Sequence, residues 1–243
     1  MTRFRAFALH LLLSLAIIGG VAFGLFALWY PPSLLGFAKA DRLFTLIAAI
    51  DIVAGPLLTL IVYKVGKPSL KFDLTVIALL QAAFLGLGLW TAWSSRPVFL
   101  VAATDRFELV FAHEVAEADR FNTDHPELAR LSWTGPKRVG LRPPASGEEM
   151  MERVDAGMAG LPSSRRPRYY QPFELSAPML VERAKPAAAL PEYSHMLERD
   201  FLQRVAADHA EQPEARFVPV ESSRGFALFQ IDPQSGKPLR YVP

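Results

Sequence analysis

The chain has 243 residues, a formal net charge of +2 and no cysteine, which bounds it to one or two domains and excludes disulfide scaffolds, thiol catalysis and thiolate metal sites. Its charges are uneven, because residues 1–94 carry only seven basic and three acidic side chains, whereas residues 95–243 carry 19 Lys or Arg and 21 Asp or Glu. The basic excess therefore lies beside apolar segments, and we expect no nucleic-acid partner.

Three apolar runs occupy the first part of the chain, at about 7–30, 43–63 and 74–93. Each has the roughly 20 residues that are needed to cross about 30 Å of hydrocarbon. A buried helix of a soluble protein is the alternative for one such run, but three in succession favour a membrane domain over residues 1–94. The first run is longer than the apolar part of a cleaved signal peptide, about 7–15 residues, although Ala38-Lys39-Ala40 has the form of a cleavage site.

Basic residues in the short flanks predict the orientation of these spans. They precede the first span and separate the second from the third, at Arg3, Arg5, Lys64, Lys67 and Lys71. Both flanks are therefore predicted to be cytoplasmic, and the loop 31–42 to face outward. Everything after the third span then lies outside, which in a bacterium means a domain at 95–243 in the periplasm and spans in the inner membrane.

The residues after 94 predict a small α+β domain. Two β-rich runs on either side of Thr104-Asp105-Arg106 predict a hairpin, and Ser146 begins a helical pattern that runs to about Met158. Residues 161–178 are predicted to be an irregular connection. The remaining predicted elements are an amphipathic helix at 192–210, whose shared face includes Met196, Leu197, Phe201, Val205 and Ala206, and three short strands at 216–220, 225–231 and 239–242, with a turn at 232–236.

Two short motifs are similar to known catalytic sequences, but each lacks a residue that the catalytic site requires. His113-Glu114-Val115-Ala116-Glu117 begins like a zinc-protease motif, but Glu117 replaces the second histidine and the run is typical of a strand. Gly66-Lys67-Pro68-Ser69 is similar to the end of a phosphate loop, but Ile61 stands where the upstream glycine belongs. We therefore predict a protein that is not an enzyme, with no catalytic residue, no metal and no cofactor.

Asp51 is the one carboxylate deep inside a predicted span. A charge at mid-membrane costs about 2.5–3.5 kcal/mol on insertion scales, so such an acid is protonated and hydrogen-bonded within the bundle, contacts a transmembrane partner, or serves a proton or ion pathway. At about 1.5 Å per residue it lies about 18 Å from the cytoplasmic end of its span, level with Gly19-Gly20 and with Gly86, with Gln81 as the nearest uncharged polar side chain.

Glycines and a proline near this depth complete the candidate partner-binding set, which comprises Asp51, Gly55, Pro56, Gly20, Gly24, Gly86 and Gly88. Gly20 and Gly24 form a GxxxG pattern, which lets helix backbones approach closely, either within the bundle or on a partner. Pro56 lacks an N–H and crowds the carbonyl of Ile52, so we expect a local bend that exposes carbonyls to a partner.

Several of these segments also resemble a known family. They are Trp29-Tyr30-Pro31-Pro32, the stretch from Asp51 to Val62, Lys67–Leu74, Arg96–Phe99 and Asp105–Glu108. Together they resemble the type IV pilin accessory proteins of the TfpX/TfpZ type, mostly in the membrane half and the first hairpin. The resemblance implies an inner-membrane helper that binds the major type IV pilin, through its transmembrane helix and its periplasmic head, before assembly.

Two other function classes stay open at this point. One is a small membrane enzyme, or an ion or lipid carrier, that uses Asp51. The other is a sensor whose outer domain binds a ligand, although the predicted cytoplasmic side offers no output domain. The oligomeric state is not predicted by the sequence.

Overall fold

The computed structural model describes residues 2–30, 34 and 36–242, with the backbone alone at 40–43. Part of the predicted outer loop, including Pro31-Pro32 of the resembling segment, lies outside the described residues. The chain divides into two compact units. The helical unit comprises Met1–Leu35 and Lys39–Ser95, and the sheet unit comprises Gly36–Ala38 and Arg96–Pro243.

The helical unit contains three helices that are long and apolar enough to cross a membrane, at Arg3–Trp29, Phe44–Val62 and Leu70–Ser94. The first consists of α1 (Arg3–Gly24) and a π-helical turn (Leu25–Trp29). The second consists of α2 (Ala40–Ala49), a π-helical turn (Ile50–Ala54) and α3 (Gly55–Val62), and the third is α4 (Leu70–Ser94).

The first and third helices begin four residues before the predicted runs 7–30 and 74–93. Polar residues supply these extra turns, since the Thr2 hydroxyl accepts a hydrogen bond from the Arg5 N–H at 3.3 Å. Before α4, Lys67 pairs with Asp73 at 2.5 Å. Such polar groups remain hydrated at the ends of a span. A helix can therefore extend beyond the apolar residues that cross the hydrocarbon layer.

Large apolar side chains cover the outside of the helical unit, as expected of a surface that faces lipid. They include Leu9, Leu12, Phe23, Ile61, Leu79 and Leu87, each at least 60% exposed. At one end the indole rings of Trp29 and Trp93 meet edge to face at 5.0 Å, and the Tyr30 hydroxyl donates to the Ala92 carbonyl at 3.0 Å.

The sheet unit is built on the strands β1 (Pro97–Ala102), β2 (Phe107–Phe111), β3 (Lys137–Leu141), β4 (Tyr170–Gln171), β5 (Arg216–Ser222), β6 (Gly225–Ile231) and β7 (Pro238–Val242). They form a seven-stranded sheet of order β4-β3-β1-β2-β5-β6-β7. The pairs β1–β3 and β2–β5 are parallel, and the other neighbours are antiparallel.

Helices cover both faces of this sheet. They are α5 (Pro126–Ala129), α6 (Gly147–Met158), α7 (Phe173–Arg183) and α8 (Arg199–Asp208), with 3-10 turns at Ala112–Glu114, Ala118–Arg120, Ser163–Arg165, Pro167–Tyr169 and Ala187–Tyr193. Leu202 and Val205 of α8 pack with Phe217 and Leu228 on one face. On the other face, Phe173 of α7 stacks on Phe107 with 6.3 Å between ring centroids. Because side chains alternate along a strand, two covered faces bury nearly every residue of the central strands β1 and β2.

Several predictions about this unit are confirmed. The hairpin exists as β1 and β2, the last three strands exist as β5 to β7, and the Gly236 N–H closes the predicted turn on the Asp232 carbonyl at 2.9 Å. The helix from Ser146 is also confirmed, because the Ser146 hydroxyl caps it by accepting from the Glu149 N–H at 3.1 Å.

Three predictions are wrong. Residues 161–178 are not an irregular connection, because they contain β4 and the start of α7. The helix predicted at 192–210 is only α8, since Pro191 lies in a 3-10 turn and the chain unwinds before Arg199. His113 and Glu114 lie in a 3-10 turn rather than a strand, and there the Glu114 carboxylate accepts from the Phe111 N–H at 2.9 Å and pairs with Arg165 at 3.1 Å.

Four arginines surround the ring of Tyr169, with guanidinium carbons 3.9–5.3 Å from its centroid. They are Arg142, Arg153, Arg166 and Arg168. Hydrogen bonds from Arg142, the Ala145 N–H and Arg153 lower the pKa of Glu149 from 4.5 to about 2. The stabilisation from these bonds is therefore complete above pH 4.5 and is lost as the pH falls toward 2, which keeps α6 anchored in mild acid.

Gly140 and Gly157 allow a matched test of packing in the sheet unit. A Cβ at Gly140 would lie 2.3 Å from the Ser176 hydroxyl oxygen and 3.0 Å from the Pro172 carbonyl oxygen, whereas one at Gly157 in α6 meets nothing within 4 Å. We expect Gly140→Ala to lower the free energy of unfolding by about 1–3 kcal/mol. Gly157→Ala should leave it unchanged or raise it by up to about 1 kcal/mol. Thermal melting of the full-length protein in detergent, followed by circular dichroism, measures both, and equal melting points would contradict this packing.

Candidate functional site

A polar cluster lies inside the helical unit and joins all three spans. His10 of α1 is at its centre, because its Nδ1 lies 2.6 Å from the Thr59 hydroxyl of α3 and its Nε2 lies 2.8 Å from the Gln81 side-chain oxygen of α4. The Gln81 amide in turn donates to the backbone carbonyl of Asp51 at 3.2 Å. Three polar side chains and one backbone carbonyl, from three helices, are thus linked in a setting where each unsatisfied polar group is costly.

The backbone around Asp51 accounts for the role of Gln81. Asp51 lies in the π-helical turn Ile50–Ala54. In a π-helix, each backbone carbonyl accepts a hydrogen bond from the N–H five residues further along the chain. For Asp51 that residue is Pro56, which has no N–H. A Cβ on Gly55 would lie 2.1–2.7 Å from the Gln81 amide group, so glycine at this position leaves Gln81 the space to reach the carbonyl.

The carboxylate of Asp51 is in a different situation from its carbonyl. The residue is only 5% exposed, and its Oδ2 has no hydrogen-bond partner among the residues that the structure describes. Asp51 lines a cavity of about 210 Å³ where the three spans meet. The other residues around the cavity are His10, Leu13, Ser14, Ile17, Ala78, Gln81, Ala82 and Leu85.

Asp51 shares this cavity with Ser14 and Ile17 of the first span and with residues 78–85 of the third. Ile17 lies two residues before the Gly19-Gly20 pair at which its depth was predicted, and Leu85 directly precedes Gly86. The Gln81 amide occupies the Asp51 carbonyl, whereas exposure of carbonyls at the Pro56 bend to a partner stays a prediction.

The predicted glycines separate into two groups. Gly55 and Gly88 are packed inside the unit, because a Cβ on Gly88 would lie 2.6 Å from the Ile47 side chain. A Cβ on Gly20, Gly24 or Gly86 would meet nothing within 4 Å. These three glycines therefore do not serve packing within the helical unit.

Gly20 and Gly24 continue a face of α1 that begins at the cavity. At about 3.6 residues per turn, Leu13, Ile17, Gly20 and Gly24 follow one another along the same side of the helix. Leu13 and Ile17 line the cavity, so the open glycines lead away from Asp51 along α1. We call this surface, together with the cavity and Gly86 on α4, the Asp51 cleft.

Sequence reasoning found Asp51, Gln81 and the glycines but missed His10, Ser14 and Thr59. The lone histidine in an otherwise apolar first span was the available signal for the cluster. Among the described residues, no group of three or more His, Cys, Asp or Glu could hold a metal ion.

Comparison with known proteins places this chain among proteins of fimbria assembly. It is 31% identical over 104 residues to the fimbrial assembly protein of serogroups C1 and C2 of Dichelobacter nodosus, a match that spans 79% of that relative and 42% of this chain. The chain belongs to the fimbrial assembly protein family.

Longer matches extend the similarity to both units. The fimbrial assembly proteins of serogroups I and E1 of the same organism are 26% and 25% identical over 226 residues, which covers 92% of this chain and 88% of each relative. No family model and no solved structure matches the chain. The two longer alignments cover most of the chain and therefore include parts of both units.

Thr59 and Thr91 provide a matched test of the polar cluster. The Thr59 hydroxyl bonds to His10 of another span, whereas the Thr91 hydroxyl donates to the Leu87 carbonyl of its own helix at 2.8 Å. We expect Thr59→Val to lower the free energy of unfolding in micelles by about 0.5–1.5 kcal/mol, because His10 loses a partner in another helix. Thr91→Val should be nearly neutral. Denaturation with sodium dodecyl sulfate measures both, and a cluster without a structural role would give equal values.

Proposed function

We propose that this protein is an inner-membrane accessory protein of the TfpX/TfpZ type, which binds the major type IV pilin before assembly and promotes pilus biogenesis. The observation that carries the proposal is the Asp51 cleft, where a buried carboxylate oxygen without a partner lines a cavity next to open glycines. Membership of the fimbrial assembly protein family supports a role in pilus biogenesis.

The cleft offers what helix association in lipid requires. Lipid tails are as apolar as leucine, so helices associate through close packing and hydrogen bonds rather than through the hydrophobic effect. Gly20, Gly24 and Gly86 let a further helix approach closely, and the Asp51 carboxyl can exchange a hydrogen bond with a polar group on that helix. A pilin that waits in the membrane as one long apolar helix would be shielded there until assembly.

The sheet unit would contact the head of the pilin outside the membrane. Packing against glycines is generic, and many apolar helices would fit the cleft. Contacts in water can be both attractive and repulsive, so discrimination among pilins would come from the sheet unit. This division of labour needs surface complementarity and no reactive group.

A carrier that uses Asp51 is the second candidate, because His10, Gln81 and Asp51 follow one another inside the helical unit. Gln81 donates to the backbone carbonyl of Asp51 and lines the same cavity as its carboxyl group. The pilin-binding proposal is favoured by membership of the fimbrial assembly protein family, and the Asp51 variants below separate the two.

Asp51→Asn and Asp51→Leu should behave differently. Asparagine keeps hydrogen-bonding capacity, so we expect near-normal protein level and pilus assembly. Leucine cannot bond a partner helix, and a loss of about 1–2 kcal/mol in the membrane should reduce capture of the pilin several-fold. Immunoblots and counts of surface pili measure both variants. If Asp51→Asn alone abolished assembly at normal protein level, ionisation would matter and the carrier would be favoured.

The open glycines give a direct test of pilin binding. A Cβ at Gly20 or Gly24 meets nothing within 4 Å, so Gly20→Leu and Gly24→Leu add bulk at the open surface, whereas Gly88→Leu collides with Ile47. We expect the first two to leave stability unchanged and to reduce co-purification of the pilin at least tenfold, and the third to lower stability. Retention of the pilin by both cleft variants would contradict docking at this surface. Failure of the parent protein to capture any pilin would contradict the proposed function itself.

Orientation has its own prediction. Basic residues flank the ends predicted to be cytoplasmic, and Phe37 and Ala38 of the loop after the first span contact Tyr241 and Arg224 of the sheet unit. This supports placing the loop and the sheet unit on one side of the membrane. A reporter that works only in the periplasm should be active after Pro243 and silent after Gly66, and the reverse pattern would invert the topology.

A further inference from the structure

A loop of the sheet unit presents an exposed tryptophan on a short hydrogen-bonded turn. The loop comprises residues 130–138, which follow α5 and include the first two residues of β3, and we call it the Trp133 loop. Trp133 is 72% exposed. The Ser132 hydroxyl accepts a hydrogen bond from the Thr134 N–H at 3.2 Å, and Gly135 follows with a positive φ of 62°, which favours glycine. The turn therefore holds the indole at the protein surface.

The Trp133 loop is bonded to the chain directly after the third span. The Arg96 side chain is buried, and its Nε donates to the Ser132 carbonyl at 3.2 Å. Arg96 lies two residues after Ser94, the last residue of α4, and two residues reach at most about 7 Å. The register of the sheet agrees, because Lys137 at the start of β3 pairs in parallel with Phe99 near the start of β1. The loop therefore lies at the end of the sheet where the chain leaves the third span.

Basic side chains flank the indole. The Trp133 loop contains no acidic residue and three basic ones, which are Arg130, Lys137 and Arg138. Burial lowers the pKa of Lys137, and repulsion by Arg130 lowers this pKa further, so these two cations lie near each other. The nearest acidic residue along the chain is Glu127, whose carboxylate bonds to the His125 ring at 3.3 Å. The loop therefore carries a net positive charge beside an exposed aromatic ring.

We propose that the Trp133 loop contacts the surface of the bilayer, with the indole in the headgroup region and Arg130 and Arg138 facing anionic lipid phosphates. Indole rings are favoured at membrane–water interfaces, because they combine an apolar body with an N–H donor. Basic side chains next to such a ring add attraction to anionic lipids. The bond between Arg96 and Ser132 keeps the loop close to the end of a span, which makes lipid headgroups its nearest partner. This inference rests on the three spans and not on pilin binding.

The chain has no cysteine, so a single introduced cysteine can carry a spin label without background. Thr134→Cys labels the Trp133 loop, and Thr104→Cys labels the hairpin turn at the opposite end of β1, where the threonine is also exposed. The full-length protein is placed in nanodiscs of phosphatidylcholine, with and without phosphatidylglycerol. Power saturation measures collisions of the label with oxygen, which concentrates in lipid, and with a water-soluble nickel chelate.

We expect the oxygen-to-nickel collision ratio to be at least threefold higher at position 134 than at position 104, and to rise at position 134 when phosphatidylglycerol is present. Equal ratios at the two positions would overturn the membrane contact. A ratio at position 134 that does not depend on phosphatidylglycerol would overturn the role of the basic side chains.

Variants of the Thr134→Cys protein identify the groups that make the contact. Trp133→Ala should lower the ratio at position 134 to that at position 104, whereas Phe121→Ala, which removes another exposed aromatic ring of the sheet unit, should leave it unchanged. Arg130→Glu with Arg138→Glu should abolish the effect of phosphatidylglycerol. Melting points should stay the same, because all four side chains are exposed. An unchanged ratio in the Trp133→Ala protein would overturn the role of the indole.

A protein partner at this loop would give a different result. Position 134 would then stay accessible to the nickel chelate in both kinds of nanodisc and become shielded only when purified pilin is added. That outcome would replace the membrane contact with a protein-docking surface.

Discussion

Inside a bilayer, a backbone carbonyl that loses its helical donor must find another one within the protein, and this constraint organises the helical unit. Pro56 cannot donate to Asp51, the turn around Asp51 is π-helical, and the Gln81 amide supplies the missing bond at 3.2 Å. The oxygen of the same amide group lies 2.8 Å from His10, which also contacts Thr59. Side chains thus replace the missing backbone hydrogen bond of Asp51, and the same side chains fix the relative positions of all three spans.

The Asp51 side chain lines the cavity beside these groups, and its Oδ2 has no hydrogen-bond partner among the described residues. His10 and Gln81, which hold the spans together, line the same cavity as Asp51. By contrast, a Cβ on Gly20, Gly24 or Gly86 would meet nothing within 4 Å. Variants at these three glycines can therefore be separated from variants of the groups that join the spans.

The sequence was sufficient for features that depend on local pattern and insufficient for those that depend on rotation or on distant pairing. Apolar length predicted three helices, and the β-rich runs on either side of Thr104-Asp105-Arg106 predicted the hairpin. Thr59 could not be paired with His10, because a π-helical turn between Asp51 and Thr59 changes which side of the helix each residue occupies. Strand β3 was missed because Lys137–Leu141 shows little apolar alternation and pairs in parallel with β1, far away along the chain.

The π-helical turn at Ile50–Ala54 also fixes the angular phase between the two halves of the second span. Such a turn accommodates one residue more than an α-helix would over the same path, so it rotates everything after it by about 100° relative to an uninterrupted helix. Loss of a single residue here would let the span become a regular helix and still cross the membrane. Thr59 would then point away from His10, and Gly55 would no longer lie under Gln81. The contacts with the neighbouring spans therefore fix the exact number of residues in this span. The thickness of the bilayer alone would tolerate a span one residue shorter.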